Sequence, residues 1–150
     1  MRLTQRILLT CGLLLAAATP SLFAADGGEV TVRAILVSAS KQPGETDRSL
    51  SAYESTLRRI LRFESFQQLG GGKDRAEIPG KGRVSLGQGQ VLEFTTQSSR
   101  DDRIRVQLDW RDDSHSFMRT GLVLRPGVPA VLGGPKRGDG SVYALLVIAE

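Results

Sequence analysis

Residues 103–110 carry the plainest hydrophobic pattern in the chain. Ile104, Val106, Leu108 and Trp110 alternate with Arg103, Arg105, Gln107 and Asp109. A period of two predicts a strand with one dry and one wet face, as in an antiparallel sheet. Ser99–Asp102 and Arg111–Ser114 supply turn residues at its two ends. Residues 29–40 read differently. Val30, Val32, Ala34, Leu36 and Ser38 share one side, and Thr31, Arg33, Ile35, Val37 and Ala39 the other. Such a density of β-branched residues predicts a strand, and apolar residues on both faces near its middle predict a central one covered on both sides. Pro43-Gly44 ends it.

Between 47 and 62 the period lengthens. Leu50, Tyr53, Leu57, Ile60 and Leu61 fall within an arc of about 100° on a 3.6-residue repeat, which predicts one amphipathic helix with all five residues on its buried stripe. Two starts fit equally: Asp47 as cap, or Ser51 with Glu54 completing a capping box. Arg58, Arg59 and Arg62 lie off the stripe, towards solvent, and Glu54 precedes Arg58 by four residues in the favourable charge order.

From Phe63 onward the pattern is β. Ser65–Leu69 is expected to be a short strand closed by Gly70-Gly71-Gly72. Arg83–Leu86 and Gln90–Ser98 flank a Gly87-Gln88-Gly89 hairpin turn. Residues 115–125 give a further strand with Phe117 and Leu122–Leu124, Pro126-Gly127 turns into Ala130–Leu132, and Gly133–Gly140 reads as a loop. Ser141–Ala149 is a strongly apolar last strand. The sum predicts an α+β fold, mainly β: an antiparallel sheet or β-sandwich with one amphipathic helix on a face or end. Consecutive hairpins favour a meander. The first and last strands are the most apolar and are expected to lie centrally, paired with each other.

The first 24 residues follow another logic. Arg2 and Arg6 precede an apolar run from Ile7 to Ala18, and Pro20 and Ser21 lead to small residues at Ala24 and Ala25. That is the layout of a cleaved secretory signal peptide, and the run is short for a membrane span. Cys11 is followed by more apolar residues, so it fills the run and does not end it as a lipid-attachment cysteine would. Cleavage after Ala24 would leave 126 of the 150 residues as one β-rich domain, 25–150, with no membrane span. Localisation is then expected to be periplasmic or secreted.

Composition narrows the function. Cys11 is the only cysteine and leaves with the leader, so the domain has no disulfide, thiolate metal site or cysteine nucleophile. Lys and Arg number 20 against 16 Asp and Glu; without Arg2 and Arg6 the balance is 18 to 16, near +2. That is not the basic stripe of a nucleic-acid binder. His115, the single histidine, cannot anchor the usual zinc sets. Asp101 and Asp102 lie about 25 Å from Asp112 and Asp113 along a strand rising ~3.3 Å per residue, so they do not share a calcium site. Gly133–Gly140 lacks the Gly-Lys-Ser/Thr ending of a phosphate loop, and there is no Gly-x-Ser-x-Gly elbow. No cofactor is expected.

Two stretches carry a family resemblance. Val30–Ser40 resembles the strand that opens the core domain of bacterial secretins, the outer-membrane channels of secretion and pilus systems. Gly127–Gly134, followed by Val142–Ala149, is similar to that core's closing strands. Arg33 and Ser38 stand where the family's opening strand is acidic, and residues 25–150 are too few for the long pore hairpins. The resemblance implies an envelope-associated accessory domain, not a channel, and it transfers no functional residue.

The expectation from sequence is therefore an exported, non-enzymatic cell-envelope protein that acts through contacts with a protein partner, accessory to a secretion or pilus-like assembly. Arg58, Arg59 and Arg62 are the candidate partner surface. The alternative is a small-molecule or glycan-binding module, or a carboxylate-based hydrolase, which requires a pocket and, for stacking, an accessible Trp110 or Tyr143.

Overall fold

A computed structural model describes residues 28–150; the expected signal peptide and its cleavage point lie outside the described residues. Eight strands follow in order: β1 (Glu29–Ser40), β2 (Ser65–Glu77), β3 (Gly80–Gly87), β4 (Gln90–Arg100), β5 (Arg103–Arg111), β6 (Ser116–Leu124), β7 (Ala130–Lys136) and β8 (Val142–Ala149). Between β1 and β2 come a 3₁₀ turn, Arg48–Tyr53, and the helix α1, Glu54–Leu61. The strands make two antiparallel four-stranded sheets, ordered β2-β1-β8-β7 and β3-β4-β5-β6. The fold is α+β, mainly β, and does not close into a barrel.

The apolar strands lie where their patterns place them. β1 and β8 are the two central strands of the first sheet and pair with each other, Leu36 opposite Leu145. The second sheet is a meander of consecutive hairpins. Between the sheets lies the main core: Val32, Ala34 and Leu36 of β1 and Leu145 and Val147 of β8 meet Leu92, Phe94, Val106, Leu108 and Trp110. The other face of β1 and β8 is also apolar and needs its own cover. Ile35, Val37, Ala144 and Leu146 pack beneath Leu50, Leu57 and Phe66, so the helical segment is the lid of a second, smaller core.

Three sequence expectations are corrected. The single helix over 47–62 is a 3₁₀ turn followed by a two-turn α-helix. Asp47 starts it, its Oδ1 accepting from the Ser49 N–H at 3.1 Å, and the Ser51–Glu54 box does not form. A 3₁₀ turn advances faster per residue than an α-helix, so the stripe does not stay in phase. Leu50 and Leu57 are buried, but Ile60 is 48% exposed. The chain then leaves α1 through Arg62 at φ 55°, whose N–H bonds to the Arg58 carbonyl.

Glycines account for the other two. Gly70-Gly71-Gly72 does not close a strand: β2 runs through it to Glu77. A Cβ at Gly70 would overlap the carbonyl oxygen of Leu86. The missing side chain lets β2 cross close over β3 at the corner between the sheets. Likewise Gly133–Lys136 belongs to β7, and the loop is confined to residues 137–141. A Cβ at Gly134 would strike the Trp110 ring.

Candidate functional site

Of the arginines singled out from sequence, Arg58 is engaged within its own segment. Its guanidinium pairs with Glu54 at 3.0 Å and with Glu64 at 3.4 Å. Arg59 and Arg62 are exposed on the same short helix and its cap. The three arginines therefore share their surface with two carboxylates, and the helical lid presents a mixed charge.

The aromatic candidates are absorbed by the fold. Trp110 is fully covered. Its indole N–H donates to Gln90 Oε1 at 2.9 Å, and its ring meets Phe117 edge-on at 5.9 Å. It is therefore closed to a stacking ligand. Tyr143 is half-buried, with the Arg137 guanidinium 5.2 Å from its ring centroid. Arg137 also donates to Ser38 Oγ, Ser38 to Ser141 Oγ, and Ser141 to Asp139. This chain of bonds ties the 137–141 loop to the end of β1. The Ser141 hydroxyl, then its N–H, holds the Asp139 carboxyl below the usual carboxylate range.

The turn after β5 is built by Asp112, whose Oδ1 accepts from the N–H groups of Ser114 and His115 at 2.8 and 2.7 Å. Those bonds lower its pKa, with the Ser114 N–H the larger cause. His115 is exposed there. Among the described residues no three His, Cys, Asp or Glu side chains are grouped to hold a metal ion.

What remains open is the border of the sandwich. Four strands lie at sheet edges: β2, β3, β6 and β7. An edge strand exposes unpaired backbone groups, and proteins guard it with charge, proline, bulges or cover. β2 and β3 cover each other at the glycine corner, and the Arg83 N–H donates to Asp74 Oδ2 at 2.9 Å. β7 carries Pro135, Lys136 and a register shift. β6 has no proline, and its one register shift is confined to its first residues, where Trp110 pairs with Met118 and Arg111 with Ser116. Its one charge, Arg119, is bound to Asp109 at 3.2 Å. Val123 in β6 and Val128 in the connection to β7 are 52% and 55% exposed.

The sequence did not point to β6 as an edge, because strand order is a tertiary property. Nor did it join Arg100 and Arg125 to Arg103 and Arg105, which the structure gathers around one open surface concavity. The class defined by this geometry is an antiparallel two-sheet sandwich with a helical lid on one face. Comparison with protein-family models, curated proteins and solved structures finds no match to the chain.

Proposed function

We propose that this chain is an exported, non-enzymatic cell-envelope protein that works by contact with a protein partner, and that β6 is the strand through which it does so. The edge of β6 from Met118 to Leu124, regular in register and without proline, with Val123 and the nearby Val128 exposed, is the observation that carries this reading. An extended segment of a partner adds to such an edge by main-chain hydrogen bonds, and alternate apolar side chains give selectivity. The partner is an envelope protein offering a strand with apolar residues on alternate positions. A secretion or pilus-like assembly is the setting that the secretin resemblance implies. No membrane span is needed for this role, and no described helix is long and apolar enough to cross a membrane.

A photo-crosslinking residue at Arg119 on β6, compared with one at Lys73 on β2, tests the contact in intact cells. A discrete adduct from position 119 and none from position 73 is the expected result. Equal adducts from both, or none, would remove β6 from the interface. Amino-terminal sequencing of the protein from the periplasmic fraction tests the export half separately, with Ala25 as the expected first residue.

A further inference from the structure

Four arginines converge at one end of the meander's outer face. Arg100 ends β4, Arg103 and Arg105 open β5, and Arg125 follows β6. The register sets them side by side. Arg100 is directly opposite Arg103. Leu124 is opposite Ile104, which carries Arg125 to the other flank of Arg103. Arg105 sits between Ser98 and Val123. All four arginines are exposed, and with Ser98, Asp101 and Val123 they line an open concavity of about 600 Å³.

Elsewhere on this meander each arginine of the strands has a carboxylate partner. Arg111 pairs with Glu93 at 3.3 Å, Arg83 with Glu93 at 3.7 Å, and Arg119 with Asp109 at 3.2 Å. At the hairpin end the pattern stops. Among the described residues, no carboxylate lies within ion-pair distance of Arg100, Arg103, Arg105 or Arg125. Asp101 is the one acidic residue lining the concavity, against four guanidinium groups. Like charges directly opposite across strands destabilise a sheet, so the free protein carries repulsion here that an anion would relieve.

Guanidinium forks match oxyanions bidentately, phosphate in particular. Cross-strand neighbours stand about 5 Å apart at Cβ, and residues two apart on one strand about 7 Å. That spacing lets several forks reach one compact group with many oxygens and more than one charge. A single carboxylate would satisfy one fork and leave the rest repelling. We propose that this concavity binds a phosphate-bearing anion of two or more negative charges, free or carried on a lipid headgroup.

Titration calorimetry with inorganic pyrophosphate, and sedimentation with phosphatidylcholine vesicles with and without phosphatidic acid, separate the two sources. Binding of pyrophosphate alone identifies a free anion, and recruitment only by phosphatidic acid identifies a headgroup. Arg103→Gln/Arg105→Gln is expected to weaken the observed binding by about tenfold or more, since the loss of even one charge-assisted bond is worth about that factor. Arg58→Gln/Arg59→Gln should leave it unchanged. Should the first double variant lose its wild-type circular dichroism, Arg125→Gln, outside any strand, carries the same test. The proposal fails if neither probe binds, if the concavity variants bind as well as the wild type, or if poly-glutamate binds more tightly than both probes.

Discussion

Trp110 shows how one side chain fixes its surroundings. Its indole N–H is satisfied by Gln90 in a buried pair, and its six-membered ring lies where a Cβ on Gly134 would have to be. Gly134→Ala therefore overpacks the core and should destabilise by about 1–3 kcal/mol. Urea unfolding read by fluorescence checks this directly, because Trp110 is the only tryptophan. At the surface, three carboxyls are tuned by local hydrogen bonds. Asp47 is held below the ordinary value of 3.8 chiefly by the Ser49 N–H, Asp112 by the Ser114 N–H and Asp139 by the Ser141 hydroxyl. A carboxyl lowered in the folded state adds stability that is complete above its unfolded pKa and is lost as pH falls through the folded one. Unfolding free energy measured against pH should thus decline below pH 3.8. In Asp47→Asn/Asp112→Asn/Asp139→Asn the decline should be shallower. An unchanged slope would mean that these turns persist in the unfolded chain.

At the scale of elements, α1 divides its apolar residues by what they touch. Leu57 is fully buried over β1 and β8, and Ile60, three residues on, faces solvent. Leu57→Ala should cost about 2–5 kcal/mol, and Ile60→Lys should stay within about 0.5 kcal/mol, both measurable by denaturant midpoint. A large loss from Ile60→Lys would restore the continuous stripe that the sequence pattern suggests. Period-two alternation made β5 legible, and apolar residues on both faces made β1 and β8 legible as the doubly covered centre. The helix phase was not legible, because the switch from 3₁₀ to α geometry depends on where Leu50 must sit. Gly70–Gly72 and Gly134 read as breaks in sequence, yet they lie inside strands. Their function is to admit a neighbouring backbone or an indole ring, and that neighbour is known only after folding. The arginine concavity was half legible. Arg103 and Arg105 stood out on the wet face of one strand, but Arg100 and Arg125 join them only through register, set by the Asp101-Asp102 turn and a shift in pairing between Thr96 and Ser98.

The whole molecule is organised around β1. Its alternate residues serve different cores: Leu36 packs between the sheets with Trp110's cluster, and Ile35 packs under the helical lid. One extended backbone thus carries both clusters, and β8 beside it repeats the arrangement with Leu145 and Leu146. A strand buried on both faces cannot release one core and keep its pairing geometry for the other, because the two sets of side chains project from the same ladder. The lid and the sandwich should therefore unfold together. Ile35→Ala tests this coupling, since its side chain never contacts the inter-sheet cluster that holds Trp110. The expected cost is about 2–5 kcal/mol, and the shift should appear equally in Trp110 fluorescence and in far-ultraviolet circular dichroism. Coincident transitions mark one cooperative unit. If Ile35→Ala moved the dichroism transition and left the tryptophan transition in place, the lid would be an independent layer, and β1 would not be the element that joins the two cores.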